Sequence, residues 1–93
     1  MTVIVKDESC PRFPRGVQLK FDRARNNWCL LGPERIINCN ASATEILKRV
    51  DGRRSVTEIV ADLTAAFAAD PAVISRDVRS TLAELATKQL VIL

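Results

Sequence analysis

The sequence predicts an α+β fold in which a three-stranded antiparallel sheet is followed by three α-helices. Three observations carry that expectation. Between Arg15 and Cys39, apolar residues alternate with polar ones and are cut by turn signals. After Cys39 the apolar spacing changes from two to about 3.6, the period of a helix. The chain has 93 residues, 47% hydrophobic and 27% charged, which is enough for one modest core and too apolar for a disordered chain.

Val17, Leu19 and Phe21 alternate with Gln18, Lys20 and Asp22, the pattern of a strand with one dry and one wet face. Asp22-Arg23-Ala24-Arg25-Asn26-Asn27 is turn-prone, because Asn and Asp bond to their own backbone and tolerate left-handed conformations. Trp28-Cys29-Leu30-Leu31 forms the second strand. A Gly32-Pro33 turn leads to a third, Glu34–Cys39. Ala43, Ile46, Leu47 and Val50 then make one helical stripe, with Asn40 or Ser42 as its cap and Asp51-Gly52 as its stop. Ser55-Val56-Thr57-Glu58 is a capping box that opens a second helix, with Val56, Ile59, Val60, Leu63 and Phe67 on its buried face. Asp70-Pro71 interrupts the pattern. The third helix runs from about Ile74, or from Pro71 if Asp70 caps it, and turns Ile74, Val78, Leu82 and Leu85 inward. Leu90 lies just past its end, and Val91-Ile92-Leu93 are apolar enough to pack down. Residues 1–14, with Pro11 and Pro14, are expected as a flexible N-terminal arm ahead of a folded domain over 15–93.

Composition narrows the function. The chain has no histidine, and Cys10, Cys29 and Cys39 are widely spaced with no Cys-x-x-Cys pair. A metal site is therefore not expected, and Cys–His or Ser–His catalysis is excluded. The three glycines are isolated, so no phosphate loop exists, and no carboxylates are paired by spacing. This is the composition of a binder without a cofactor and not of an enzyme. Met1–Val5 runs at once into Lys6-Asp7-Glu8 and lacks the apolar length of a signal peptide. The longest apolar run is far below the roughly 20 residues of a membrane span. A cytoplasmic protein without membrane contact is expected. The net charge of +3 is uneven, with +5 over residues 1–54 (11 Lys/Arg against 6 Asp/Glu) and −2 over residues 55–93 (3 against 5). The third helix mixes Arg76, Arg79 and Lys88 with Asp77 and Glu84, a poor pattern for reading DNA or neutralising its phosphates.

Specific segments resemble the PqqD family. They are Pro11-Arg12, the run Arg15–Asp22, Arg25, Trp28, Leu30-Leu31-Gly32-Pro33-Glu34-Arg35 and Ala43-Thr44-Glu45-Ile46-Leu47. Asp51-Gly52, Val56–Val60, Asp77-Val78 and Leu82-Ala83-Glu84-Leu85 extend the match toward the C-terminus. The resemblance implies a peptide chaperone of pyrroloquinoline quinone (PQQ) biosynthesis. Such a chaperone binds the ribosomal precursor peptide PqqA and presents it to the radical S-adenosylmethionine (SAM) enzyme PqqE. It also implies a winged-helix-like RiPP recognition element, RiPPs being ribosomally made, post-translationally modified peptides. In such an element the peptide docks between the third strand and the third helix. Here that groove is bounded by Glu34, Arg35, Ile36, Ile37, Asn38 and Cys39 on one side. Asp77, Val78, Thr81, Leu82 and Leu85 bound the other. The chain departs from the family pattern at Cys39, where a leucine is expected, and at Gln89, where a glycine often precedes the closing apolar residues.

The expected mode is addition of a peptide strand to the edge Glu34–Cys39, with side chains entering pockets beside the third helix. A one-residue shift of register swaps Ile36 and Ile37, and that choice stays open. At least two of Val78, Leu82 and Leu85 are expected to be plain core. The rival readings are a winged-helix DNA-binding regulator and a recognition element for a different modified peptide. An open edge can also capture a second copy, leaving a homodimer, by hairpin exchange or otherwise, as an alternative.

Overall fold

The computed structural model describes residues 3–93. Turn chemistry sets its sheet. Strands β1 (Gln18–Asp22), β2 (Asn27–Gly32) and β3 (Arg35–Asn38) form an antiparallel meander in the order β1-β2-β3. At the first turn the Asp22 carboxylate accepts the N–H groups of Ala24 and Arg25 at 3.0 and 3.4 Å, and Asn26 takes the left-handed conformation. At the second, Pro33 presets one central position and Glu34 takes φ 60° at the other. A non-glycine residue there costs about 1–2 kcal/mol.

Pairing across the meander places Leu19, Leu30 and Ile37 on one face and Gln18, Leu31 and Ile36 on the other. The first set packs on the core. Phe21 keeps the Leu19 face by alternation but is not buried as expected, being 38% exposed. It sits at the strand's far end, where its ring meets Trp28 edge-on at 5.5 Å. Cys29 lies on the outer face yet is only 1% exposed, its thiol donating toward the side-chain oxygens of Asn27 and Asn38.

Helix α1 (Ala41–Leu47) is capped by Asn40, whose side chain accepts the Ala43 N–H at 2.8 Å. Helix α2 (Val56–Phe67) opens on the predicted box. Ser55 Oγ accepts the Glu58 N–H, and the Glu58 carboxylate accepts the Ser55 N–H. Helix α3 (Pro71–Thr87) begins at Pro71 under an Asp70 cap, the earlier of the two expected starts. Phe67 is a correction: it continues the α2 stripe but remains 54% exposed, because the helix carries it past the edge of the core.

The end of α3 shows how the chain manages without the expected glycine. Gln89 adopts φ 61°. Its N–H donates to Ala86 O, and the Leu90 N–H donates to Leu85 O at 2.9 Å. These are the two bonds of a Schellman cap, a role glycine normally fills. The cap turns Leu90 and Val91 into the core, and Leu90 packs so closely on Gly32 that a Cβ there would stand 2.9 Å from Leu90 Cδ2.

The N-terminal segment also differs from the free arm that was expected. Arg12 and Ile92 form an antiparallel bridge with bonds of 2.9 and 2.8 Å. The Pro11 and Ser9 carbonyls accept from Gly52 and Val56. Arg79 donates to the Val5 carbonyl and pairs with Asp7. Segment 3–14 is extended, but its backbone groups find partners on the domain and Pro11 is buried, so it braces the fold.

Gln89→Gly relieves a left-handed residue at about 1–2 kcal/mol against the about 0.5–1 that glycine's flexibility costs. Urea unfolding should therefore show a net gain of about 0.5–1 kcal/mol with an unchanged m-value. Separately, backbone N–H groups of Arg54 and Arg53, at 2.9 Å each, hold the Asp51 carboxyl below its ordinary 3.8. A depressed folded pKa supplies stability above the unfolded value, which is lost as pH falls through the folded one. Asp51→Asn keeps the acceptor oxygen but cannot titrate, so the loss of stability below about pH 4 should flatten in acid-unfolding curves.

Candidate functional site

An antiparallel pair alternates residues that exchange backbone bonds with their neighbour and residues whose backbone groups point away. The Cys39 N–H donates to Trp28 O at 3.0 Å. With Leu30 opposite Ile37 and Gly32 opposite Arg35, the backbone groups of Arg35, Ile37 and Cys39 turn toward β2. Those of Ile36 and Asn38 turn outward. No strand lies beyond β3 among the described residues, so these outward groups form an open hydrogen-bonding edge.

A groove of about 450 Å³ runs beside that edge, between β3, the start of α1 and α3. Leu30, Ile37 and Cys39 supply its sheet side, and Thr81 and Leu85 face them from α3. Asp77, Ser80, Glu84 and Lys88 follow the same helical ridge, and Asn40, Ser42 and Ala43 close the α1 side. At one end the Arg35 guanidinium donates to the Lys88 carbonyl at 3.4 Å, fastening the start of β3 to the end of α3. Lys88 also pairs with Glu84 at 3.2 Å, while Asp77 carries no ion pair with another described residue. Burial, the larger effect, pushes the Cys39 thiol above its ordinary 9.0 against a backbone contact from Leu30. Near neutral pH it is a packing group and not a thiolate.

The sequence-predicted residues divide accordingly. Ile37, Asn38, Cys39, Asp77, Thr81 and Leu85 line the groove together. Arg35 sits at its fastened end. Ile36 contributes an outward amide, but its side chain is 65% exposed on the opposite face of the sheet, which settles the choice between the two isoleucines. Glu34 stands in the turn and outside the groove. Val78 and Leu82 are fully buried beneath it. Ser80, Glu84 and Lys88 were missed, although they repeat from Asp77 at helical spacing and could have been found by extending that stripe. Asn40, Ser42 and Ala43 had no such signal, since only the tertiary fold brings the start of α1 to the groove. Among the described residues no group of His, Cys, Asp or Glu could hold a metal ion. No described helix is long and apolar enough to cross a membrane.

A family model described as "Coenzyme PQQ synthesis protein D (PqqD)" matches residues 27–91. That span includes the open edge and both walls of the groove. The chain belongs to the PqqD family. Within the family it is 42% identical to a "PqqA binding protein" of Rhodopseudomonas palustris, over 92% of this chain and 84% of that one. It is 41% identical to a protein of the same description from Xanthomonas oryzae, over 97% of both. It is also 46% identical over 80 residues to the "Bifunctional coenzyme PQQ synthesis protein C/D" of Methylorubrum extorquens, of whose length it spans only 22%. The solved PqqD portion of Methylobacterium extorquens PqqCD superposes with a TM-score of 0.83 at 41% identity, covering 97% of this chain and 96% of that one. That protein is described as a functional, stand-alone RiPP recognition element.

The edge geometry of this PqqD-family fold is directly measurable. Amide hydrogen exchange should find Ile37 and Cys39 protected and Ile36 and Asn38 exchanging fast. Slow exchange at Ile36 and Asn38 in the free protein would mean the edge is already occupied.

Proposed function

We propose that this chain is a non-catalytic peptide chaperone that binds the precursor peptide PqqA and presents it to the radical SAM enzyme PqqE. The observation that carries the reading is the open edge of β3 beside a groove of about 450 Å³, inside the span that the family model matches. The close relatives described as PqqA binding proteins support it. A PqqA segment adds as a fourth strand, exchanging backbone bonds with Ile36 and Asn38, and alternate side chains enter the groove between Ile37 and Cys39 on one side and Thr81 and Leu85 on the other. Glu34, Val78 and Leu82 act as turn and support. The recognition unit is residues 15–93, braced by the segment before it, and it works in the cytoplasm. The charge of α3 argues against the DNA-regulator reading. Arg79 is engaged with Val5, Asp7 and Ser75, and Lys88 with Glu84, which leaves Arg76 as the one basic residue of α3 without an ion pair among the described residues.

Ordering a peptide costs several kcal/mol, so an affinity near micromolar, about −8 kcal/mol, is expected. Titration of labelled PqqA should saturate in that range and change little with salt. Absence of saturable binding below about 100 µM would overturn the proposal. The proline control belongs at Asn38. Proline at Ile37 removes a bond to β2 and weakens the fold, whereas Asn38→Pro removes one outward amide from an edge strand, where proline is tolerated. Asn38→Pro should lower PqqA affinity about tenfold, since it also places a ring where the guest backbone must approach.

A further inference from the structure

The groove does not end at Asp77. Ser42 and Asp77 also belong to the wall of a second cavity, of about 330 Å³, set between α1, α2 and α3. Its interior is apolar, formed by Ile46, Leu63, Ile74 and Val78, with Phe67 at the mouth. The far end of the groove is fastened by Arg35 on the Lys88 carbonyl, whereas the Ser42–Asp77 end leads into this cavity. Phe67 is an independent sign. It continues the stripe of Val56, Ile59 and Leu63, and of these four it alone is left uncovered by the chain's own packing.

We propose that this cavity is an anchor subsite for one bulky apolar side chain, aliphatic or aromatic, of the same peptide whose backbone pairs with β3. The inference rests on the strand-addition reading above and extends it beyond the sheet edge. The volume lies at the small end of the roughly 300–1,000 Å³ typical of ligand pockets, which suits a side chain and not a folded element. Charge favours a particular neighbour for the anchor. Of the two carboxylates at the mouth, Glu45 is paired with Lys48 and Arg49 at 3.3 and 3.2 Å. Asp77, on the ridge between the two cavities, holds no ion pair with another described residue. A lysine or arginine next to the apolar anchor would meet Asp77 as the chain crosses from one cavity to the other. The subsite thus selects an apolar–basic pair, while the β3 edge selects only an extended backbone.

Ala41 is exposed and lines this cavity but not the groove, so Ala41→Trp plugs the subsite and leaves the edge intact. With full-length chain and PqqA as the probe, Ala41→Trp should weaken binding about tenfold, the worth of one buried apolar side chain. Phe67→Ala, which removes only part of the mouth, should weaken it by a smaller factor. In the unmodified chain the methyl resonances of Ile46, Leu63 and Ile74 should shift together with the amides of Asn38 and Thr81. If the amides respond, those methyls stay silent and both variants bind within twofold of the parent, the subsite is wrong and strand addition stands. If neither set responds, both readings fall together. Methyl shifts that follow the chain's own concentration without peptide would assign the cavity to a second copy and overturn the proposal.

Discussion

The register between β2 and β3 is the constraint on which the other features depend. Leu30 opposite Ile37 brings both side chains to the core face, and the same register turns the amides of Ile36 and Asn38 to the free side. A slip of one residue would send Ile37 into solvent, drive Ile36 into the groove and turn the outward amides back toward β2. The two-residue turn at Pro33 and Glu34 prevents that slip, at the expense of a left-handed glutamate. Local strain at Glu34 therefore holds a non-local property, the availability of one strand edge.

The rest of the fold keeps that edge straight and its surroundings rigid. The Asn40 cap starts α1 within two residues of β3, so the chain turns away before it can cover the strand. Helix α3 runs back along the groove, and its Schellman end at Gln89 folds Leu90 against Gly32 and sends Ile92 to pair with Arg12. The first and last segments of the described chain thus pair with each other and brace the domain. Under the strand-addition proposal this arrangement matters, because a preformed edge spares the protein its own ordering cost and leaves only the guest's.

Much of the architecture was legible from local chemistry. The Ser55–Glu58 box and the Asp22 turn act within a few residues and appear where the sequence places them, and the Asp70-Pro71 pair takes the earlier of the two starts open to α3. The strand and helix that the family motifs point to do border a groove in the structure. Gln89 is instructive in the other direction. The backbone keeps the glycine conformation although the glycine is gone, because the burial of Leu90 and Val91 outweighs a cost of about 1–2 kcal/mol.

Sequence alone determined the elements, their order, and the absence of histidine and metal-spaced cysteines, while the family resemblance pointed to the strand and helix that border the groove. Only the tertiary structure decided that Ile37 and not Ile36 faces the groove, that Phe21 and Phe67 lie beyond the core's edge, and that the N-terminal segment is braced. It also brought the start of α1 against Asp77, joining two cavities that no spacing in the chain connects. The reason is physical. Caps, turns and periodicity are written within a few residues, whereas the burial of a given side chain and the freedom of a given amide depend on what distant segments leave uncovered.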